Sequence, residues 1–268
     1  MSRLPVHAIQ VAATQPRRRV CIASQSRVCY FAVQRRSLRT VAPEQGWYPP
    51  LSAEMLKVSA ANPDPRLIRY AAGWLNRGAV VAVPTDTLYA LAADPVNLAS
   101  VEEIFRVKGR PEHRALPILI NSLIYAQVLA KDLPDNFYRL AQACWPGPLT
   151  MVVDASNRLP LKVTGNTRRV ALRWPKSRVV NDLIAELGVP LTGTSANLSG
   201  SPTCESGDEV FRQLGDRIPL ILDGGETEGS LPSTIVELRG DHWCIGREGA
   251  IGDDVIHEAL DGDDAVPA

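Results

Sequence analysis

The sequence predicts an α/β domain, a twisted mixed sheet with flanking helices. Two observations carry this. Short continuous apolar runs, of which Ala79-Val80-Val81-Ala82-Val83 is the clearest, have the pattern of strands covered on both faces. Between them lie segments whose apolar residues recur at helical spacing and whose ends carry capping residues.

Residues 64–77 read as a helix: Leu67, Ile68, Ala71, Ala72 and Leu75 share one face, Asp64 can cap the start, Pro65 suits the first turn and Gly78 stops it. The strand at 79–83 then opens into Pro84-Thr85-Asp86-Thr87-Leu88-Tyr89-Ala90-Leu91. A helix at 97–107 turns Val101, Ile104 and Phe105 inward, a strand follows at 116–120, and helices at 122–130 and 135–144. Trp145-Pro146-Gly147-Pro148-Leu149-Thr150 reads as a structural corner, because two prolines fix the backbone and the tryptophan supplies buried area. Strands at 149–153 and 170–173 lead to a helix at 177–187, a strand at 189–192, a helix at 205–214 and a strand at 219–222. Two neighbouring strands, 234–238 and 243–247, and a weak helix at 253–260 close the pattern.

No internal repeat and no second hydrophobic core is evident, so residues 59–252 are expected to form one domain. Residues 1–58 read as a poorly ordered, arginine-rich extension and 253–268 as a short helix with an acidic tail. The extension has two readings, an organelle transit peptide or the product of a mis-assigned upstream start codon. The zero formal charge of the 268 residues conceals an asymmetry: residues 1–43 hold eight arginines and no acid, which leaves the remainder at −8. An acidic body argues against a general nucleic-acid binder. Five scattered cysteines without a CxxC pair indicate neither a disulfide framework nor a zinc site. The longest apolar runs are far too short to cross a bilayer.

Several segments could carry chemistry. Thr194-Ser195-Ala196-Asn197-Leu198-Ser199-Gly200 offers hydroxyls, an amide and backbone N–H groups directly after an apolar run, which suits phosphate oxygens or simply a turn. Thr85 and Thr87 follow a buried strand, where an α/β sheet leaves a crevice; Asp86 as a plain cap is the competing reading. Lys108-Gly109-Arg110-Pro111, with Arg114 beyond, sets a point charge beside a guanidinium fork, a pair fit for a triphosphate or merely for a helix C-terminus. Arg173 ends an apolar run after Arg168-Arg169 and must find an anion, either a substrate carboxylate or a structural Asp. Ser233 starts one strand and Arg247 ends the next.

Taken in order, PTDTLYAL, KGRP, WPGPLT, VALR, TSANLSG, PSTIV and REGAI resemble the YrdC/Sua5 family of threonylcarbamoyl-AMP synthases, over about residues 62–252. The resemblance implies the YrdC-like fold with a concave, positively charged cleft. It also implies the reaction: L-threonine, bicarbonate or CO2, and ATP give L-threonylcarbamoyladenylate and pyrophosphate, the first stage of N6-threonylcarbamoyladenosine formation at position 37 of tRNA. By motif matching it places Lys108, Arg110, Ser195 and Asn197 at the nucleotide phosphates and reacting centre. Arg114, Thr203 and Arg247 fall on further ATP contacts, and Thr87, Arg173, Gly193 and Ser233 around the threonine, whose carboxylate Arg173 would pair. No protein ligand is assigned to a metal; Mg2+ is implied with ATP. Cytoplasmic location and downstream tRNA threonylcarbamoyl transferase proteins are implied as well. The chain departs from the family pattern at Ala90, where a glycine is usual and alanine restricts the backbone, at Ala115 in place of a proline, and at Arg169 in place of a threonine that contacts ATP. With only 17 residues after Ile251, it resembles the short, single-domain members.

Two alternatives stand beside this. One is a non-catalytic RNA-binding or ribosome-maturation factor of the same fold, contacting tRNA or double-stranded RNA through Lys108, Arg110, Arg114, Arg168, Arg169 and Arg173. The other is a carbamoyl-transfer module like that of hydrogenase-maturation proteins, weakened by the lack of their zinc-finger and acylphosphatase segments.

Overall fold

A computed structural model of the chain describes residues 52–111 and 113–261. Eleven strands and seven helices alternate through them. A first sheet of five strands has the order β1 (Glu54–Lys57), β9 (Leu220–Asp223), β2 (Val81–Val83), β3 (Ala90–Ala92) and β8 (Thr194–Ser195). A second sheet of six runs β11 (His242–Arg247), β10 (Thr234–Arg239), β5 (Leu149–Asp154), β6 (Arg169–Arg173), β4 (Ile118–Leu119) and β7 (Leu191–Thr192). Parallel and antiparallel pairs occur in both, so the fold is mixed α/β as expected, with two sheets where one was anticipated.

Helix α1 (Pro65–Asn76) begins as the sequence dictates: the Asp64 carboxylate accepts from the Arg66 N–H, with Pro65 in the first turn. Asn97 caps α2 (Leu98–Lys108) through two backbone N–H groups, and left-handed Gly109 ends it, aiming the chain from Lys108 toward Arg110. The remaining helices are α3 (Leu123–Leu129), α4 (Asp135–Cys144), α5 (Arg178–Leu187), α6 (Gly207–Leu214) and α7 (Asp253–Asp261).

The expectation of a single core is corrected, because the five-stranded sheet divides the buried residues by its pleat. Val81, Val83, Ala90, Ala92, Leu220 and Leu222 pack under α1 and α5 in one layer. Ala82, Tyr89, Leu91 and Ile221 point the other way and join the larger layer between the sheets and helices α2, α4 and α6.

The expected boundary of the N-terminal extension at residue 58 is also corrected. Residues 54–57 form β1, parallel to β9, and Lys57 ion-pairs with Asp223 at 2.5 Å. A four-residue strand with mostly exposed side chains lacks the apolar run by which the other strands announce themselves. The rest of the predicted extension, 1–51, and the acidic tail at 262–268 lie outside the described residues.

Candidate functional site

A cavity of about 570 Å3 opens between the two sheets. One wall is a single face of the six-stranded sheet, and the two-residue period of its strands decides which residues it presents. Leu149, Met151 and Val153 of β5, Val170 and Leu172 of β6, and Val236 and Leu238 of β10 are core residues. The intervening Thr150 and Val152, Arg169, Ala171 and Arg173, and Ile235, Glu237 and Arg239 line the cavity.

At one end stands Arg173, buried at 7% exposure. Its Nη2 bonds Asp86 Oδ1 at 2.6 Å, Nη1 donates to Thr87 Oγ1 at 2.9 Å, and Nε donates to the Gly147 carbonyl at 3.2 Å. Burial pulls the guanidinium's pKa down and Asp86 opposes this, so the carboxylate keeps the buried cation charged. The anion that Arg173 needs is thus found within the chain at Asp86, a residue the sequence suggests only as a cap. Beside it, Thr150 Oγ1 and Ser233 Oγ lie 2.8 Å apart, and Arg247 Nη2 donates to the Ser233 carbonyl at 2.5 Å and to its hydroxyl at 3.2 Å. The Trp145–Pro148 corner serves this end: its Trp145–Pro146 peptide bond is cis, and Gly147 holds both Arg173 and, through its N–H, Trp174 at 2.8 Å.

The other end is formed where the chain passes from one sheet to the other. Strand β7 belongs to the six-stranded sheet and β8 to the five-stranded one, with Gly193 alone between them. A Cβ at Gly193 would lie 2.4 Å from Leu119 Cγ, so only glycine permits this crossing. The expectation of a loop from Thr194 is corrected at its start: Thr194 and Ser195 pair antiparallel with Leu91 and Ala90 of β3. Ala90 therefore sits in ordinary extended backbone, and the glycine usual in the family is not required here.

Lys108 holds the following turn. Buried at 2% exposure, its Nζ donates to the carbonyls of Ser195 and, at 2.9 Å, Asn197, and to Asn197 Oδ1 at 3.2 Å. Burial, and then the charge of Arg110, lowers its pKa to about 7, against three oxygens that favour the ammonium. Ser195 Oγ donates to Asn197 Oδ1 at 2.6 Å, while Asn197 Nδ2 donates to the carbonyls of Leu198 and Ser201. Arg110 donates to Thr194 Oγ1 at 3.3 Å and to the Ala115 carbonyl at 3.0 Å, and its buried Nε has no partner among the described residues. Ala115 thereby steadies Arg110 through its backbone.

Of the residues singled out in the sequence, Thr87, Arg110, Arg173, Gly193, Ser195, Thr203, Ser233 and Arg247 line the one cavity. Lys108 and Asn197 lie behind it, committed to the β8 turn, and Arg114 is exposed outside the lining. Arg169 lines the cavity and bonds Asp154 at 2.8 Å. Of the basic cluster suggested for RNA, Lys108 and Arg173 are buried, whereas Arg114 and Arg168 are exposed. Sequence reasoning missed Asp86 as a partner of Arg173, and Thr150, Glu237 and Arg239 as lining. The available signal is partial alternation: Thr150 stands between Leu149 and Met151, and Glu237 and Arg239 flank Leu238.

A family model for Sua5/YciO/YrdC proteins, described as Telomere recombination, matches residues 74–249. The chain belongs to the Sua5/YciO/YrdC family. Among relatives in that family, the threonylcarbamoyl-AMP synthase of Pyrococcus abyssi is 40% identical over 171 residues, 64% of this chain and 50% of that protein. The synthase of Bacillus subtilis is 33% identical over 198 residues, 74% of this chain and 57% of that one. This chain therefore spans about half the length of these two relatives. The crystal structure of P. abyssi Sua5 complexed with L-threonine superposes with a TM-score of 0.75 at 35% identity, covering 78% of this chain and 61% of that one.

Proposed function

We propose that this cavity makes L-threonylcarbamoyladenylate from L-threonine, bicarbonate or CO2, and ATP, with release of pyrophosphate, for threonylcarbamoylation of tRNA. The observation that carries the reading is a single cavity with a buried arginine at one end and a hydroxyl-rich turn with a second arginine at the other. The names of the relatives, and a related structure complexed with L-threonine, support it.

A guanidinium has five N–H donors. Three of Arg173's are engaged, and the two left over suit the carboxylate of threonine. Thr87, the Thr150–Ser233 hydroxyl pair and the Gly193 backbone would frame the rest of the amino acid. The amine forms its N–C bond to CO2 and gives a proton to solvent. A carbamate oxygen then bonds the α-phosphorus, the bridging P–O bond to the β-phosphate breaks, and pyrophosphate leaves with those electrons. Such transfer needs positioning and charge neutralisation rather than a protein nucleophile. Five arginines and one glutamate line the cavity, the charge balance a triphosphate wants.

Arg110 and Thr203 would meet the phosphates, with Arg247 and Arg114 at the margins. Ser195 would turn its hydroxyl hydrogen from Asn197 onto the α-phosphate. Lys108 and Asn197 would act by holding that turn, and Mg2+ would enter bound to the triphosphate as part of the substrate. A cytoplasmic site of action belongs to the same proposal; no described helix is long and apolar enough to cross a membrane.

Pyrophosphate release by the purified chain should require both L-threonine and bicarbonate. Ser195→Ala and Arg110→Ala should each lower it by about 100-fold. Release indifferent to threonine would overturn the reading, and RNA binding without nucleotide turnover would favour a non-catalytic role.

A further inference from the structure

The cavity wall carries one feature that the proposed chemistry leaves unused. Glu237 is the only acid among the described residues that line the cavity. It lies half-buried on β10, and no described residue ion-pairs or hydrogen-bonds with it, although Arg239 follows two positions on along the same face. An unpaired carboxylate in an arginine-lined cleft is an acceptor held open for a ligand's donors.

The sheet register places it. Ile235 pairs with Thr150, which neighbours Arg173, and Glu237 pairs with Val152, which pairs with Ala171. Glu237 thus stands one pleat beyond the Arg173 row, about 7 Å along the strands. Its own row otherwise offers the exposed thiol of Cys244 on β11 and the apolar Val152 and Ala171, none of them a charge partner. Gly246 keeps the space before it clear: a Cβ there would lie 3.4 Å from Glu237 Oε1 and 3.7 Å from Ile235 Cγ2.

A carboxylate repels phosphate, so the triphosphate belongs at the β8 end, with Arg110, Ser195 and Thr203. The nucleoside then extends from the α-phosphate along the sheet face, over Val152, Ala171 and Ile235, to Glu237. We infer that Glu237 selects the nucleotide, its carboxylate accepting a hydrogen bond from a neutral donor of the nucleoside, either a ribose hydroxyl or the adenine 6-amino group. This inference rests on the synthase reading for the identity of the ligand.

Equilibrium binding of ATP, 2′-deoxy-ATP, 3′-deoxy-ATP and ITP to the full chain and to its Glu237→Ala and Glu237→Gln variants tests it, alongside threonine-dependent pyrophosphate release. Wild type should bind ATP at least tenfold more tightly than the analogue lacking the recognised donor, as expected for a hydrogen bond to a charged group. Glu237→Ala should lose that preference, with an unchanged KM for L-threonine and an unchanged far-ultraviolet spectrum. Loss of preference against a deoxy analogue identifies the ribose, and against ITP the base. If adenine is read, Glu237→Gln, which adds an N–H donor, should bind ITP better than wild type does. Unchanged ATP-to-analogue ratios in Glu237→Ala, or a rise in the KM for threonine alone, would overturn the inference. Should wild type bind ATP yet release no pyrophosphate with threonine and bicarbonate, the synthase reading fails while the binding ratios still decide on Glu237. Wild type that binds no ATP overturns both.

Discussion

Lys108 is the residue on which the site turns, and its environment makes a thermodynamic prediction. The unfolded chain keeps a lysine proton to about 10.5, whereas burial brings the folded value to about 7. Between these values the unfolded state binds more protons, so this group adds stability as pH rises from about 7 toward 10.5 and withholds it below 7. Lys108→Met should flatten that rise, as read from thermal denaturation of both proteins across the range; parallel curves would refute the assignment. Asp86 makes a second prediction at this scale. Asp86→Asn leaves Arg173 buried without its counter-charge, so unfolding in urea should show a loss of about 3 kcal/mol. The KM for threonine should rise while that for ATP holds. That Arg173 needs an anion was legible in the sequence, because an arginine closing an apolar strand cannot stay unpaired. Which anion was not legible, since Asp86 lies 87 positions away and only tertiary folding brings it to 2.6 Å.

The element that matters most is the passage from β7 through Gly193 to β8. An alanine there must displace Leu119, which is 1% exposed and packed against the crossing. Gly193→Ala should cost about 1–3 kcal/mol in denaturant unfolding, with Leu119→Ala partly restoring stability in the double variant. Strictly additive losses would show that the two sites do not touch. The polar character of the 194–200 segment was legible from its hydroxyls and amide, but its placement between two sheets was not. Two-residue strands such as β7 and β8 carry too few positions for a periodic signal. The helices were legible almost to the residue because their caps are local, Asp64 before α1 and Asn97 before α2.

Across the whole molecule, the five-stranded sheet separates two packed layers, and β1 is its edge. A chain beginning at Ser59 would lose the β1–β9 ladder, the Lys57–Asp223 pair and the buried Val58. Relative to a chain beginning at Ser52, it should melt at least several degrees lower, since each 1 kcal/mol shifts Tm by about 2–4 °C at this size. Equal melting temperatures would show that β1 contributes nothing.

By itself the sequence determined the α/β class, the helix limits, the family, and most of the side chains that meet in the cavity. These follow from local propensity, capping and short motifs, which act over a few residues. Tertiary structure alone decided that there are two sheets, that Asp86 answers Arg173, that Lys108 stands behind the cavity, and that Glu237 faces into it with no partner among the described residues. Each of these depends on strand register and on contacts between distant segments, which the burial of apolar surface fixes only when the whole chain packs.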